Sequence, residues 1–164
     1  MIYKIRIILD AEEDVFRDLE IPAESNLEEL HDAITQSFGF LGNEMASFYT
    51  ADENWNQDEE IPLFDIRETG DGTRLMRDTT LTDVMGEQFP KLLYVYDFLN
   101  MWTFFVELAD IVPREDGRSY PNMIFSFGEL PDAPPEKSFE ADPDLDLDEP
   151  MGNYDDLDFE ENWN

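Results

Sequence analysis

The chain contains no cysteine and one histidine, and it sets only 10 lysines and arginines against 41 aspartates and glutamates, for a formal charge of −31 over 164 residues. The missing thiols exclude disulfides, thiolate metal centres and cysteine nucleophiles, and they fit a reducing cytoplasm. So acidic a chain repels phosphate at long range, which argues against nucleic acid or an anionic membrane as a direct partner. No run of about 18 apolar residues occurs, and the amino terminus opens on Met-Ile-Tyr-Lys-Ile-Arg without an apolar signal core. A cytoplasmic protein is the expectation.

What is present suffices for a core: 41% of residues are hydrophobic and 13% aromatic. The most apolar stretch, Leu92 to Leu108, is rich in β-branched and aromatic residues and is interrupted at Asp97 and Asn100. It predicts two strands joined by a tight turn, placed at the centre of a sheet. At the amino terminus Tyr3, Ile5, Ile7 and Leu9 alternate with Lys4 and Arg6, the period of a half-buried strand. Val15, Leu19 and Ile21 repeat the alternation after a polar turn at Asp10 to Asp14, so Asp18 and Glu20 fall where Lys4 and Arg6 can pair across a hairpin. Ser25-Asn26-Leu27-Glu28 matches a capping box, Leu27, Leu30, Ile34 and Phe38 share one helical face, and Gly39 closes the helix.

Further strands are predicted at Ala46 to Thr50 and Leu63 to Arg67, with an acidic loop around Trp55 from Ala51 to Glu60 and a turn at Thr69 to Thr73. A brief helix is expected from Thr79 or Thr80 to Met85, stopped by Gly86. Beyond Val112, prolines at 113, 121, 131, 134 and 135 leave room for one short strand, Met123 to Phe127. Residues 136–164 hold twelve acidic residues and one lysine, interspersed with Phe139, Leu145, Leu147, Tyr154, Leu157, Phe159 and Trp163. Such a composition stays flexible alone while offering apolar anchors for docking. The expected fold is α+β: a single domain over residues 1–111, mostly an antiparallel sheet with a β-β-α, β-grasp-like start and a central aromatic hairpin. A Pro-rich extension at 112–135 and an acidic tail at 136–164 follow.

Three segments carry a resemblance: Leu30-His31-Asp32-Ala33-Ile34 followed by Phe38-Gly39-Phe40; Thr79-Thr80-Leu81-Thr82-Asp83-Val84; and Leu93-Tyr94-Val95-Tyr96-Asp97-Phe98 with Trp102 four residues on. In this order the chain resembles the Ri-plasmid ORF-three-like family, often labelled transposon-passenger TnpR proteins, over roughly Met1 to Ile111. The family's hairpin reads Tyr-Asp-Phe-Gly-Asp-X-Trp, whereas Leu99 and Asn100 stand here in place of Gly-Asp. The resemblance implies an α+β fold and a plasmid or mobile-element neighbourhood, and it implies no particular reaction. A resolvase would need an activated serine, clustered arginines and a basic DNA-binding surface, which a chain of −31 with scattered arginines does not supply.

His31, the one histidine, lies beside Leu27 and Ile34 or Thr35 on the helix and is a candidate general base or binding residue with Asp32 adjacent, although neighbours in a helix do not face each other. Tyr96, Asp97, Asn100 and Trp102 form a polar and aromatic cluster at the hairpin turn, where turn-closing hydrogen bonds explain the Asp and Asn equally well. Asp142, Asp144, Asp146 and Asp148 alternate like a calcium loop, but Leu147 takes the position that needs glycine and Asn153 the one that needs glutamate, so no metal site is predicted. No phosphate loop, nucleophile elbow or His-Glu metal helix occurs, and no cofactor is called for. The expected function is a non-enzymatic, acidic interaction module that docks a basic protein, with Phe139, Tyr154, Phe159 and Trp163 as tail anchors. The alternative is a small-ligand protein or enzyme with a cleft beside the Tyr94 to Trp102 hairpin and His31 at its edge.

Overall fold

The amino-terminal alternation folds into β1 (Ile2–Leu9) and β2 (Phe16–Pro22), an antiparallel hairpin in which Lys4 faces Glu20 and Arg6 faces Asp18. The computed structural model describes residues 1–64 and 74–134. After the hairpin come α1 (Leu27–Phe38), β3 (Ala46–Ala51) and β4 (Gln57–Pro62), a 3-10 turn at Met76–Asp78, and α2 (Leu81–Val84). The strands β5 (Lys91–Tyr96), β6 (Trp102–Val112) and β7 (Asn122–Phe127) complete the chain order. Seven strands form one sheet in the order β4-β3-β5-β6-β1-β2-β7, every pairing antiparallel. The expected central hairpin is β5 and β6, and β6 is the middle strand. No helix among the described residues is long and apolar enough to cross a membrane.

One face of the sheet supplies Tyr3, Ile5, Ile7, Leu19, Ile21, Phe48, Leu92, Tyr94, Phe104 and Val106 to the core, and α1 contributes Leu27, Leu30, Ile34 and Phe38. The period of 3.6 in the helix and of 2 in the strands therefore meet on a single buried layer. On the alternate face Arg6 grips Asp18 through two hydrogen bonds of 2.8 and 2.9 Å. Glu20, 2% exposed, accepts from Asn122 Nδ2 at 3.0 Å and pairs with Arg118 at 3.1 Å and Lys4 at 3.9 Å. A buried carboxylate needs such company, and here the company holds β7 and its preceding loop against β2.

The capping box lies one residue later than expected. Asn26 is the cap: its Oδ1 accepts from Glu29 N at 2.8 Å, and Glu29 returns the bond to Asn26 N at 2.9 Å. The backbone of Ser25 is occupied elsewhere, its N–H on Pro22 O and its carbonyl on Leu81 N. This exchange, with Leu27 N on Thr79 O at 2.9 Å, joins the starts of both helices. Gly39 ends α1 in the left-handed region, φ 85°. Arg17, buried beneath the helix end, donates to Ser37 O at 3.1 Å and to Phe127 O at 3.1 Å.

A second correction concerns the acidic loop expected from Ala51 to Glu60, whose latter part is β4. It was hidden because Gln57, Asp58 and Glu59 are exposed and charged or polar, as edge strands are when they must resist further pairing. Leu63 and Phe64 lie beyond β4, while the rest of the strand expected at Leu63 to Arg67 and the turn at Thr69 to Thr73 fall outside the described residues. Asn26→Ala is expected to cost about 1 kcal/mol by chemical denaturation. Ser25→Ala should cost clearly less, and equal losses would reject the assignment of the cap.

Candidate functional site

The hairpin turn is closed by its own polar residues. Asp97 adopts φ 64° and accepts from Leu99 N at 3.2 Å and Asn100 Nδ2 at 2.6 Å, while its carbonyl accepts from Asn100 N and Met101 N. Tyr96 and Trp102 flank the turn but are buried, and both pack on Phe40, with ring centroids 4.6 and 5.3 Å away. Tyr96 Oη also accepts from Gly42 N at 3.0 Å. The structure thus brings Tyr96 and Trp102 together in the core and leaves Asp97 and Asn100 in the turn, so these four do not converge on one cleft. The tail residues Phe139, Tyr154, Phe159 and Trp163 lie outside the described residues.

His31 is 2% exposed and its Nδ1 lies 2.6 Å from Tyr94 Oη. Burial pushes the imidazole below the ordinary histidine range, with nearby Asp32 opposing in part. Burial also pushes the Tyr94 phenol well up, with Tyr96 and Asp32 adding to the shift. The phenol keeps its proton and has no other acceptor among the described residues, so it donates to Nδ1 and leaves the imidazole proton on Nε2. The ring also borders a cavity of about 310 Å³ whose lining includes Glu28, Asp32, Glu44, Met45 and Phe64 but not Tyr94. Sequence reasoning named His31 and missed Tyr94. The register of α1 over β5 pairs them across 63 residues, and no local pattern carries that information.

The other unexpected feature is the outer edge of the sheet. In β7, Met123, Ile124, Phe125 and Phe127 are between 38% and 50% exposed. A register shift sets Met123 opposite Leu19 and Phe125 opposite Asp18, so apolar side chains emerge on both faces of the strand. Phe125 and Phe127 lean on Phe16 at 5.8 and 5.5 Å, and Arg6 lies 4.2 Å over the Phe16 ring. Past the strand, Gly128 takes φ 77° against the β1–β2 turn, where a Cβ would lie 2.5 Å from Asp14 O. That close approach brings exposed Glu12, Glu13 and Asp14 beside exposed Glu129, and these four have no ion-pair partner among the described residues. The opposite edge, β4, is guarded by charge, whereas β7 is not.

Removing the phenol hydroxyl with Tyr94→Phe leaves a buried ring nitrogen unpaired and is expected to cost about 1–3 kcal/mol, read by denaturant unfolding. The lowered folded-state pKa of His31 means that the unfolded chain takes up the proton first as pH falls. Its contribution is therefore present above the ordinary value of about 6.5 and is lost as pH drops below it. Between about pH 7.5 and 5.5, wild type should lose more stability than His31→Gln. Parallel pH profiles would show that His31 is not titrating in a buried setting.

A family model described as plasmid pRiA4b ORF-3-like protein matches residues 1–138, the family expected from the three motifs. Among solved structures the chain is similar to a protein of unknown function, MM3350, from Methanosarcina mazei Go1, with a TM-score of 0.67 and 21% identity. The match covers 76% of this chain and 68% of that one, and at this identity it speaks to the fold. Among curated proteins, none matches. With most of its length accounted for by the family model, the chain belongs to the plasmid pRiA4b ORF-3-like family.

Proposed function

We propose that the protein is a non-enzymatic interaction module that docks a basic protein through the β7 edge. The observation that carries this reading is the apolar, exposed edge strand at an acidic corner of the molecule. Unpaired strand edges are templates for strand addition, where main-chain bonds give affinity and alternate side chains give specificity. Met123, Ile124, Phe125 and Phe127 supply apolar contact on either face, and Glu12, Glu13, Asp14 and Glu129 favour lysine or arginine at the end of the added strand. The overall charge of −31 speeds the encounter with a basic partner. In this reading the tail is a second electrostatic arm, with Phe139, Tyr154, Phe159 and Trp163 as its anchors. A cleft reading has less support: Tyr96 and Trp102 are core residues, and Asp97 and Asn100 satisfy each other.

The test is capture from cytosolic extract by the immobilised full chain at about 0.1 and 1 M salt, across which the screening length falls from about 10 to about 3 Å. A basic protein should be retained at low salt, released at high salt and not retained by the folded double variant Phe125→Ser, Phe127→Ser. Truncation after Pro135 should weaken capture further. Retention that ignores both salt and the double variant would overturn the reading.

A further inference from the structure

The open edge of β7 differs in charge from one end to the other. The strand itself, Asn122–Phe127, carries no charged residue. Past its end, Gly128 approaches the β1–β2 turn so closely that a Cβ there would lie 2.5 Å from Asp14 O and 3.1 Å from Val15 Cα. The chain therefore leaves β7 through exposed Glu129 beside the exposed run Glu12, Glu13 and Asp14. Ahead of the strand the acids are mostly met already. Arg118 pairs with Glu20 at 3.1 Å and with Glu115 at 3.2 Å, and Arg114 pairs with Glu24 at 3.7 Å, leaving Asp116 as the acid of that loop without an ion pair among the described residues. A strand of this length spans about 20 Å, twice the screening length of about 10 Å at 0.1 M salt. A charge at one end is thus felt weakly at the other.

The edge also has a direction. β7 is the last strand of the sheet and pairs on one side only, with β2. Its outward main-chain groups meet no other strand among the described residues, and half-exposed Phe125 and Phe127 stand against Phe16. Every pairing within the sheet is antiparallel, the geometry that is slightly more stable per residue. An eighth strand added in that sense begins beside the end of β7. Its first residues lie at the Glu12, Glu13, Asp14 and Glu129 corner, and its last lie at the Arg114 to Arg118 loop.

Resting on the docking reading, we propose that the segment β7 captures is an antiparallel strand whose basic residues precede a short, uncharged stretch of alternating apolar side chains. Lysine or arginine ahead of the stretch meets the acidic corner, and the alternate apolar side chains lie against Phe125 and Phe127. The same basic residues placed after the stretch meet a loop whose acids are mostly paired. The apolar edge supplies the site, and the corner sets only the order in which the partner's residues run.

The probes are two peptides of one composition, acetylated and amidated so that side chains alone carry charge. One has three lysines followed by Thr-Val-Thr-Val-Thr-Val, and the other has the same stretch followed by three lysines. Each is titrated into the isotopically labelled full chain at about 0.1 M salt while the main-chain amide resonances are followed. The lysine-first peptide is expected to move the β7 resonances and to bind about tenfold tighter than the lysine-last peptide. The exposed-residue variant Glu12→Gln, Glu13→Gln, Glu129→Gln should bring the two to within about twofold by weakening the lysine-first peptide. Equal affinities for the wild type, a preference for lysine-last, a preference that survives in the triple variant, or no binding of either peptide would overturn the proposal. So would a dimer of the chain alone that the Phe125→Ser, Phe127→Ser variant disperses, because a second copy would then hold the edge. That double variant also tells the two readings apart. Loss of both peptides there keeps the edge as the docking site even where their order proves immaterial, whereas unchanged binding there removes the edge from both readings.

Discussion

The packing of α1 across β5 and β6 is the constraint from which most of this molecule follows. Phe38 meets Phe104 at 4.8 Å, Phe40 meets Tyr96 at 4.6 Å, and Tyr94 lies between Phe48 and Phe104 at 4.8 and 5.9 Å. Such tilted and offset pairs contribute about 0.5–1.5 kcal/mol each beyond the area they bury. In the register these contacts accompany, His31 reaches Tyr94. A helix slid by one turn would leave both the imidazole and the phenol buried without a partner. Polar groups here select among the packings that the aromatics allow.

The three segments that carry the family resemblance converge on this layer. Leu30 to Ile34 is the middle of α1, Thr79 to Val84 forms the strand-like cap and short helix hydrogen-bonded to the start of α1, and Leu93 to Phe98 is β5 with its turn. Their association explains why distant stretches of chain share a signature without supplying a reaction. They build a helix start, a sheet centre and a tight turn. Replacement of Gly-Asp by Leu99 and Asn100 is absorbed locally, since Asn100 bonds Asp97 and Leu99 is 94% exposed.

The sheet ends differently on its two sides, and that asymmetry organises its surface. At β4, exposed Asp58 and Glu59, the latter paired with Arg74 at 2.6 Å, make further strand pairing unfavourable. At β7 the strand is neutral and apolar, held in place from behind by buried Glu20 and Arg17. The exposed charge on this side lies past the end of β7, at Glu129 and the β1–β2 turn, and not along the strand.

By itself the sequence determined what short-range periodicity can encode. The β1–β2 hairpin with its Lys4–Glu20 and Arg6–Asp18 pairs, the apolar face of α1, the Gly39 stop, the β5–β6 hairpin at the sheet centre and the strand in β7 were all legible, because each depends on residues a few positions apart. The family was legible too, from motif order. What only the tertiary structure decided were pairings across long separations. Asn26 in place of Ser25 as cap follows from the contact with Thr79 to Leu81; polar Gln57 to Glu60 becomes a strand because β3 offers an edge. The cavity at His31 needs α1, the α1–β3 loop and Leu63 in one place. Local rules score propensity and alternation, whereas these features depend on which distant backbone and side chains arrive alongside, and that is set by the packing of the whole sheet.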